Sequence, residues 1–545
     1  MPRLLALLLL AFPLFASDVS VGWISRAPEL EYVWGSTNPH VDGWPLAGST
    51  VTWRAHVRNF GASAVTTPYT WRVDGVEVAK GNVTLAPNAI TVVQLPRLWT
   101  FDRQRIAFTA GDRVLETFSD ALSVGFWVEQ GFYDEFRAKQ AELGIGSTGF
   151  EDWAQRTIAL FNDMAELAGV IDRLRLQKIV VVPDDALPLS GLPSDSSVGA
   201  SGSTHPDRND RTVDLMWGFR TAVLSGYLRG NKVEPLNWFY TGVGALHELG
   251  HARYLVDVYA WDVRHRPPEF VIDVPGVVTV EVGGFVHRTP EQGLMNKHYS
   301  FIDNYSAIAL NRIAGRRAVL GNYNEPRNFA EFLNDMPAQN RVTIRDENGV
   351  AIPNANVEIY QATRTAPTPL WYGAHFDATP DLTLRTDDRG RVLVGRSPFG
   401  TVVHAPDLNT GVVIVRVGDR VGYLESRLFN LAYWRGETEF ADHELLVGRE
   451  CIAEGTRLRG PDWDAVTSGP VTLKWDPMVD ATHYRVYANN RLIASTTKTS
   501  VEARLNGKVY WWVESDLGVC GTRRSYPGRF FASNGTVMRR RTARP

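Results

Sequence analysis

The chain has 545 residues, 44% of them hydrophobic and 21% charged, an ordinary globular composition at a length that calls for roughly three to five domains. Its 57 Lys and Arg against 60 Asp and Glu leave a formal net charge of −3, which argues against nucleic acid or a polybasic membrane surface as a partner. Only two cysteines occur, Cys451 and Cys520, which argues against a thiolate metal site or a cysteine protease.

In chain order, Arg3 and the apolar run Leu4 to Phe15 precede the small residues Ala16 and Ser17. This reads as a secretory signal over residues 1–17, and no later stretch is long and apolar enough for a transmembrane segment. Residues 18–124 alternate apolar and polar positions, as in Val51-Thr52-Trp53-Arg54-Ala55-His56-Val57 and Tyr69 to Val73, with turns at Asn59-Phe60-Gly61 and Asp74-Gly75, the pattern of an antiparallel sandwich. The stretches V-R-N-F-G-A-S-A-V and W-R-V-D-G-V-E-V resemble bacterial cell-surface Ig-like domains of the CARDB type. Over 125–335 the pattern changes. Thr148-Gly149-Phe150-Glu151 has capping-box spacing before a helix through Ala168. Ile179 to Val182 reads as a strand stopped by Pro183, a Ser/Gly/Pro/Asp-rich loop spans Asp184 to about Asp210, and Val213 to Phe219 reads as a further strand. Residues 340–449 return to strands, with Val342 to Arg345 and Val357 to Tyr360 separated by Asp346-Glu347-Asn348-Gly349, and resemble transthyretin-like sandwiches. Residues 450–535 carry Trp475-Asp476, Tyr484 to Tyr487 and Tyr510 to Val513 in an order similar to fibronectin type III core strands, and 536–545 form a basic tail. Export to an oxidising compartment makes Cys451 and Cys520 a candidate disulfide.

The pentapeptide with most chemical content is His247-Glu248-Leu249-Gly250-His251. On a helix its two histidines share one face a turn apart, so both imidazoles can bind one Zn²⁺, with Glu248 as the general base. A catalytic zinc usually has three protein ligands. Asp257 is the leading candidate, with His265, Asp262, Glu281 and His287 as the other candidates. Gly242, Gly244, Ala245, Gly250 and Ala252 suit a helix packed closely around a site.

The spacing from His247 to Asp257 resembles that of the metzincin zinc peptidases, and Gly293-Leu294-Met295-Asn296 resembles their Met-turn, with Met295 beneath the metal. The resemblance implies transition-state support from Tyr299 or His298, although Lys297 holds the position two residues after the methionine. The sequence also departs from that family at Tyr254, where most members have a glycine for the sharp turn after the second histidine. The expected architecture is multidomain: an α+β zincin-like catalytic domain with three Ig-like all-β sandwich domains. The expected function is a secreted, cell-surface or periplasmic zinc endopeptidase acting on protein or peptide substrates. The sandwiches would bind cell-surface protein or glycan. A non-catalytic adhesion protein with the same scaffold is the alternative.

Overall fold

The structure is a computed structural model. It describes residues 19–139, 149–187, 207–221, 236–263, 287–317, 334–362, 376–400, 411–448 and 455–533, with short gaps inside these stretches, among them 34–35, 298–300 and 462–464. The first sandwich has one sheet in the order β1 (Val19–Ala27), β2 (Thr50–Asn59), β5 (Ile90–Leu98). The facing sheet runs β4 (Val76–Leu85), β3 (Val65–Val73), β6 (Arg105–Ala110), β7 (Arg113–Phe118). The β3–β4 turn places Asp74 at φ 51° and Gly75 at φ 82°, the left-handed pair that an Asp-Gly hairpin turn favours. Trp53, Trp71 and Phe108 fill the space between the sheets and are essentially inaccessible.

The chain then forms a three-stranded, all-parallel sheet in the order β10 (Leu215–Phe219), β8 (Leu122–Glu129), β9 (Leu174–Val182). Every residue of the central β8 is buried, as expected for a parallel strand covered on both faces. Helices α1 (Gln130–Lys139) and α2 (Phe150–Ala168) lie between β8 and β9 in sequence. Gly149, not Thr148, is the N-cap of α2 and makes no side-chain cap bond, and Gly169 ends the helix in the left-handed conformation at φ 71°. Helix α3 (Leu236–His251) carries the histidine pair, and the short α4 (Leu294–Lys297) and α5 (Asn304–Arg312) follow.

The second sandwich combines the order β14 (Arg391–Gly395), β11 (Gln339–Arg345), β17 (Phe440–Leu446) with the order β13 (Leu382–Arg385), β12 (Asn356–Gln361), β15 (Val412–Val417), β16 (Arg420–Glu425). Helix α6 (Ser426–Trp434) leaves the end of β16. The last sandwich sets β18 (Leu458–Gly460), β20 (Val471–Trp475) and β23 (Ser500–Ala503) against a second sheet. That sheet runs β19 (Ala465–Ser468), β26 (Gly528–Ser533), β24 (Gly507–Asp516), β21 (His483–Ala488), β22 (Arg491–Thr496), with β25 (Thr522–Arg524) paired to β24. Lys508 of β24 reaches back to Asp163 of α2 at 2.5 Å.

The expected α+β zincin-like catalytic domain is not evident: among the described residues the fold is mostly β-sheet, with 47% in strands against 17% in helix and six α-helices. Helix α2 packs on β1 as well as β9. A single apolar cluster runs from Trp53 and Trp71 through Phe126, Trp153 and Phe219 to Leu246, Leu249 and Met295. Apolar faces are buried wherever a complementary face is available, and among the described residues the helices share one continuous core with the first sandwich. Among the described residues, no helix is long and apolar enough to cross a membrane.

One buried histidine makes the second sandwich acid-sensitive. His443 of β17 donates to Asn340 Oδ1 at 2.9 Å and stacks on Phe429 at 4.4 Å. Burial lowers its pKa to about 4, with Asp442 raising it and Arg435 lowering it further. The native state therefore stays neutral where the unfolded chain takes a proton, so stability is lost as pH falls from about 6.5 towards 4. The cost at pH 5 is on the order of 1–2 kcal/mol. His443→Gln should lose less stability than wild type between pH 7 and pH 5 in urea unfolding; equal losses would contradict this.

Candidate metal centre

Helix α3 ends at His251, so its last turn presents His247 and His251 from one face. Both are buried, at 2% and 6% exposure, and Glu248 between them is 9% exposed. The rings stand nearly perpendicular, at 87°. His247 Nδ1 donates to the Leu294 carbonyl at 2.7 Å, and His251 Nδ1 donates to the Leu255 carbonyl at 2.8 Å. A carbonyl only accepts, so each Nδ1 carries its ring's proton and each Nε2 turns inward. The two Nε2 atoms are 3.1 Å apart. Asp257 Oδ1 completes the triangle at 3.0 Å from His247 Nε2 and 3.2 Å from His251 Nε2.

The turn that delivers Asp257 is a Schellman motif. Leu255 N–H bonds to the Gly250 carbonyl at 3.1 Å and Tyr254 N–H to the His251 carbonyl at 2.9 Å. Tyr254 holds the left-handed position at φ 67°, usually a glycine's place and one that costs a tyrosine roughly 1–2 kcal/mol. Burial of its ring at 5% exposure offsets that cost. The motif therefore does two things. It exposes the Leu255 carbonyl to orient His251, and it folds the chain back so that Asp257 meets both histidines.

Three electron-rich atoms about 3 Å apart in a buried site require a positive charge among them. Tetrahedral zinc bonds of about 2.0–2.1 Å would separate ligand atoms by about 3.3 Å, close to the observed edges. The proton equilibria report the same demand. Burial works against a charged His251, yet the Asp257 carboxylate, with help from Glu248, lifts its pKa to about 9. Burial likewise pushes the Asp257 carboxyl up, but His251 and His247 outweigh it and hold it far below the usual carboxylate range. Asp257 Oδ1 is inaccessible, and with both imidazole protons on Nδ1 it meets no donor among the described residues. Two neutral imidazoles and one carboxylate form a donor set suited to zinc, and the carbonyls behind both imidazoles are the outer contacts such ligands usually have.

Met295 is fully buried, and a Cβ added to Gly250 would lie 2.7 Å from its sulfur. The Gly293-Leu294-Met295-Asn296 segment thus supplies both the carbonyl behind His247 and the side chain against Gly250. Of the other ligand candidates, Asp262 Oδ1 accepts from Thr289 N–H at 2.9 Å and His287 pairs with Glu425 at 2.8 Å, so neither joins the cluster. His265, Glu281, Tyr299, His298, Cys451 and Cys520 lie outside the described residues. Sequence reasoning missed Tyr259, whose ring lies parallel to that of His247 at 6.4 Å. Its place two residues after Asp257 was the available signal. Among the described residues, β10 pairs only with β8, which makes it an edge strand, and it packs against α3.

No family model matches the sequence, and no curated protein matches it. Among solved structures, a Paenibacillus sp. cycloisomaltooligosaccharide glucanotransferase is 19% identical over 23% of this chain and 18% of its own, with a TM-score of 0.15. The chain therefore spans under a fifth of that enzyme. Fibronectin(III)-like modules of Clostridium thermocellum CbhA are 11% identical over 33% of this chain and 78% of theirs, with a TM-score of 0.14. A Bacteroides uniformis beta-glucuronidase is 10% identical over 94% of this chain and 61% of its own, with a TM-score of 0.16. Scores this low assign neither fold nor function.

The close approach of Met295 makes Gly250 a sensitive position. Gly250→Ala should destabilise the protein by up to about 1 kcal/mol, because the buried Met295 thioether must move to admit the methyl group in spite of alanine's better helix propensity. In a Met295→Ala background the additional loss from Gly250→Ala should shrink, so that the two losses are less than additive. A thermal midpoint for Gly250→Ala at or above wild type would contradict the packing described.

Proposed function

We propose that the chain is a secreted or cell-surface zinc-dependent endopeptidase. The observation that carries this reading is the convergence of His247, His251 and Asp257 on one point beside a glutamate on the same helix turn. A zinc ion held there would polarise a scissile carbonyl and acidify a water molecule. Glu248 is then the general base: it takes the proton of the attacking water and passes it to the leaving amine nitrogen. Its carboxylate is close enough to His251 to contribute to that residue's raised pKa. Glu248 is buried, at 9% exposure, on the same helix turn as both histidines, which suits a base that works shielded from bulk water. Among the described residues β10 pairs with β8 alone, and its other side would let an extended peptide align by strand addition.

A non-catalytic surface protein that uses the sandwiches to bind protein or glycan would leave Glu248 with no task at the centre. Glu248→Gln separates the two readings, because it preserves shape and removes the base. The variant should keep one zinc per chain and lose about 10²–10⁴ of its rate on an unfolded protein substrate. Equal rates for the two proteins would contradict the role given to Glu248. Zinc uptake without hydrolysis by wild type would favour the surface-protein reading.

A further inference from the structure

The segment that leads into α4 is held from outside the helical region. His287, Thr289 and Glu291 alternate along it, and all three side chains meet one pair from the second sandwich, Glu425 and Arg427. Glu425 accepts from His287 Nε2 at 2.8 Å, from Thr289 Oγ1 at 3.1 Å, and from Arg427 Nε. Arg427 Nη1 also donates to Glu291 at 3.1 Å. The His287 ring stacks on Tyr423 of β16 at 4.3 Å. Glu425, Thr289 and Glu291 are all buried, at 2%, 1% and 8% exposure. Such partners are expensive to break because each would leave another polar group buried and unpaired.

The same segment touches the metal centre at both ends. At its start, His287 and Val263 exchange backbone hydrogen bonds at 2.8 and 3.1 Å, and Thr289 N–H bonds to Asp262 Oδ1 at 2.9 Å. Val263 and Asp262 follow Asp257 after a single 3-10 turn, Val258–Trp261. At its far end, Leu294 supplies the carbonyl that orients His247. Glu425 and Arg427 therefore fix the strip of chain from which one ligand is oriented and beside which another is placed.

We propose that the Glu425–Arg427 pair of the second sandwich positions the metal ligands, so that this sandwich is a working part of the metal centre and not an appended binding module. The proposal rests on the metal reading above. Groups that orient a ligand without touching the metal typically change affinity by about tenfold to a hundredfold.

The test is zinc affinity, measured by competition with a chromophoric chelator on the full chain. Arg427→Met should weaken zinc by about tenfold while the fold is retained by circular dichroism. Arg341→Met, which breaks the exposed Arg341–Asp442 pair of the same sandwich, should leave affinity unchanged. In a His247→Ala background the Arg427→Met loss should largely vanish, whereas a general loosening of the fold would add in full. Arg427→Lys, which keeps the charge beside Glu425, should fall between wild type and Arg427→Met, and it replaces Arg427→Met if that variant does not fold. Wild-type affinity in a folded Arg427→Met variant, or equal losses in both backgrounds, would overturn the proposal alone. Absence of zinc binding by wild type would overturn the metal reading with it.

Discussion

Two imidazole nitrogens and a carboxylate oxygen are held within about 3 Å of one another, out of water, and most of the local structure around α3 follows from that constraint. Lone pairs so close repel in a medium that screens them poorly. A proton can relieve the repulsion only by charging a buried imidazole, and the upward shift of His251 records that compromise. A divalent cation satisfies all three atoms at once. The backbone is arranged to keep the lone pairs inward, because the Leu294 and Leu255 carbonyls occupy the only other nitrogen on each ring.

Holding this arrangement requires strain and close packing. Tyr254 sits where glycine is preferred, and its left-handed turn is what brings Asp257 back to the helix. Gly250 is bare because Met295 fills the space a side chain would take. Farther out, the apolar core joins α3 to the first sandwich, and the Glu425–Arg427 pair joins the α4 approach to the second. These contacts make the β-sandwiches part of the frame on which the site is built.

Much of the candidate cluster's geometry was legible in the sequence because its information is local. The i, i+4 histidines, Glu248 between them, Asp257 ten residues after His247, and the Gly-Leu-Met segment all declare themselves by residue type and spacing. The alternation of Val51 to Val57 and the turn at Asp74-Gly75 located β2 and the β3–β4 hairpin in the same way. What stayed hidden had no local signature. Tyr254 argued against the very turn it makes, since tertiary burial overrode a backbone preference. The carbonyls of Leu255 and Leu294 act through the main chain, which residue identity does not encode. Glu425 and Arg427 are more than a hundred residues from the segment they hold. The fold class was misjudged because helix periodicity shows that α2 and α3 exist but not what covers them. Their apolar faces pack into a core shared with a sandwich, in a chain dominated by strands.

The central claim is that His247, His251 and Asp257 bind one zinc ion, and X-ray absorption at the zinc edge tests it most directly. Full-length protein loaded with one equivalent of zinc should show a four-coordinate ion with two imidazole nitrogens and oxygen ligands at about 2.0–2.1 Å. A six-oxygen shell without imidazole scattering, or zinc that washes away from the folded chain, would contradict the account.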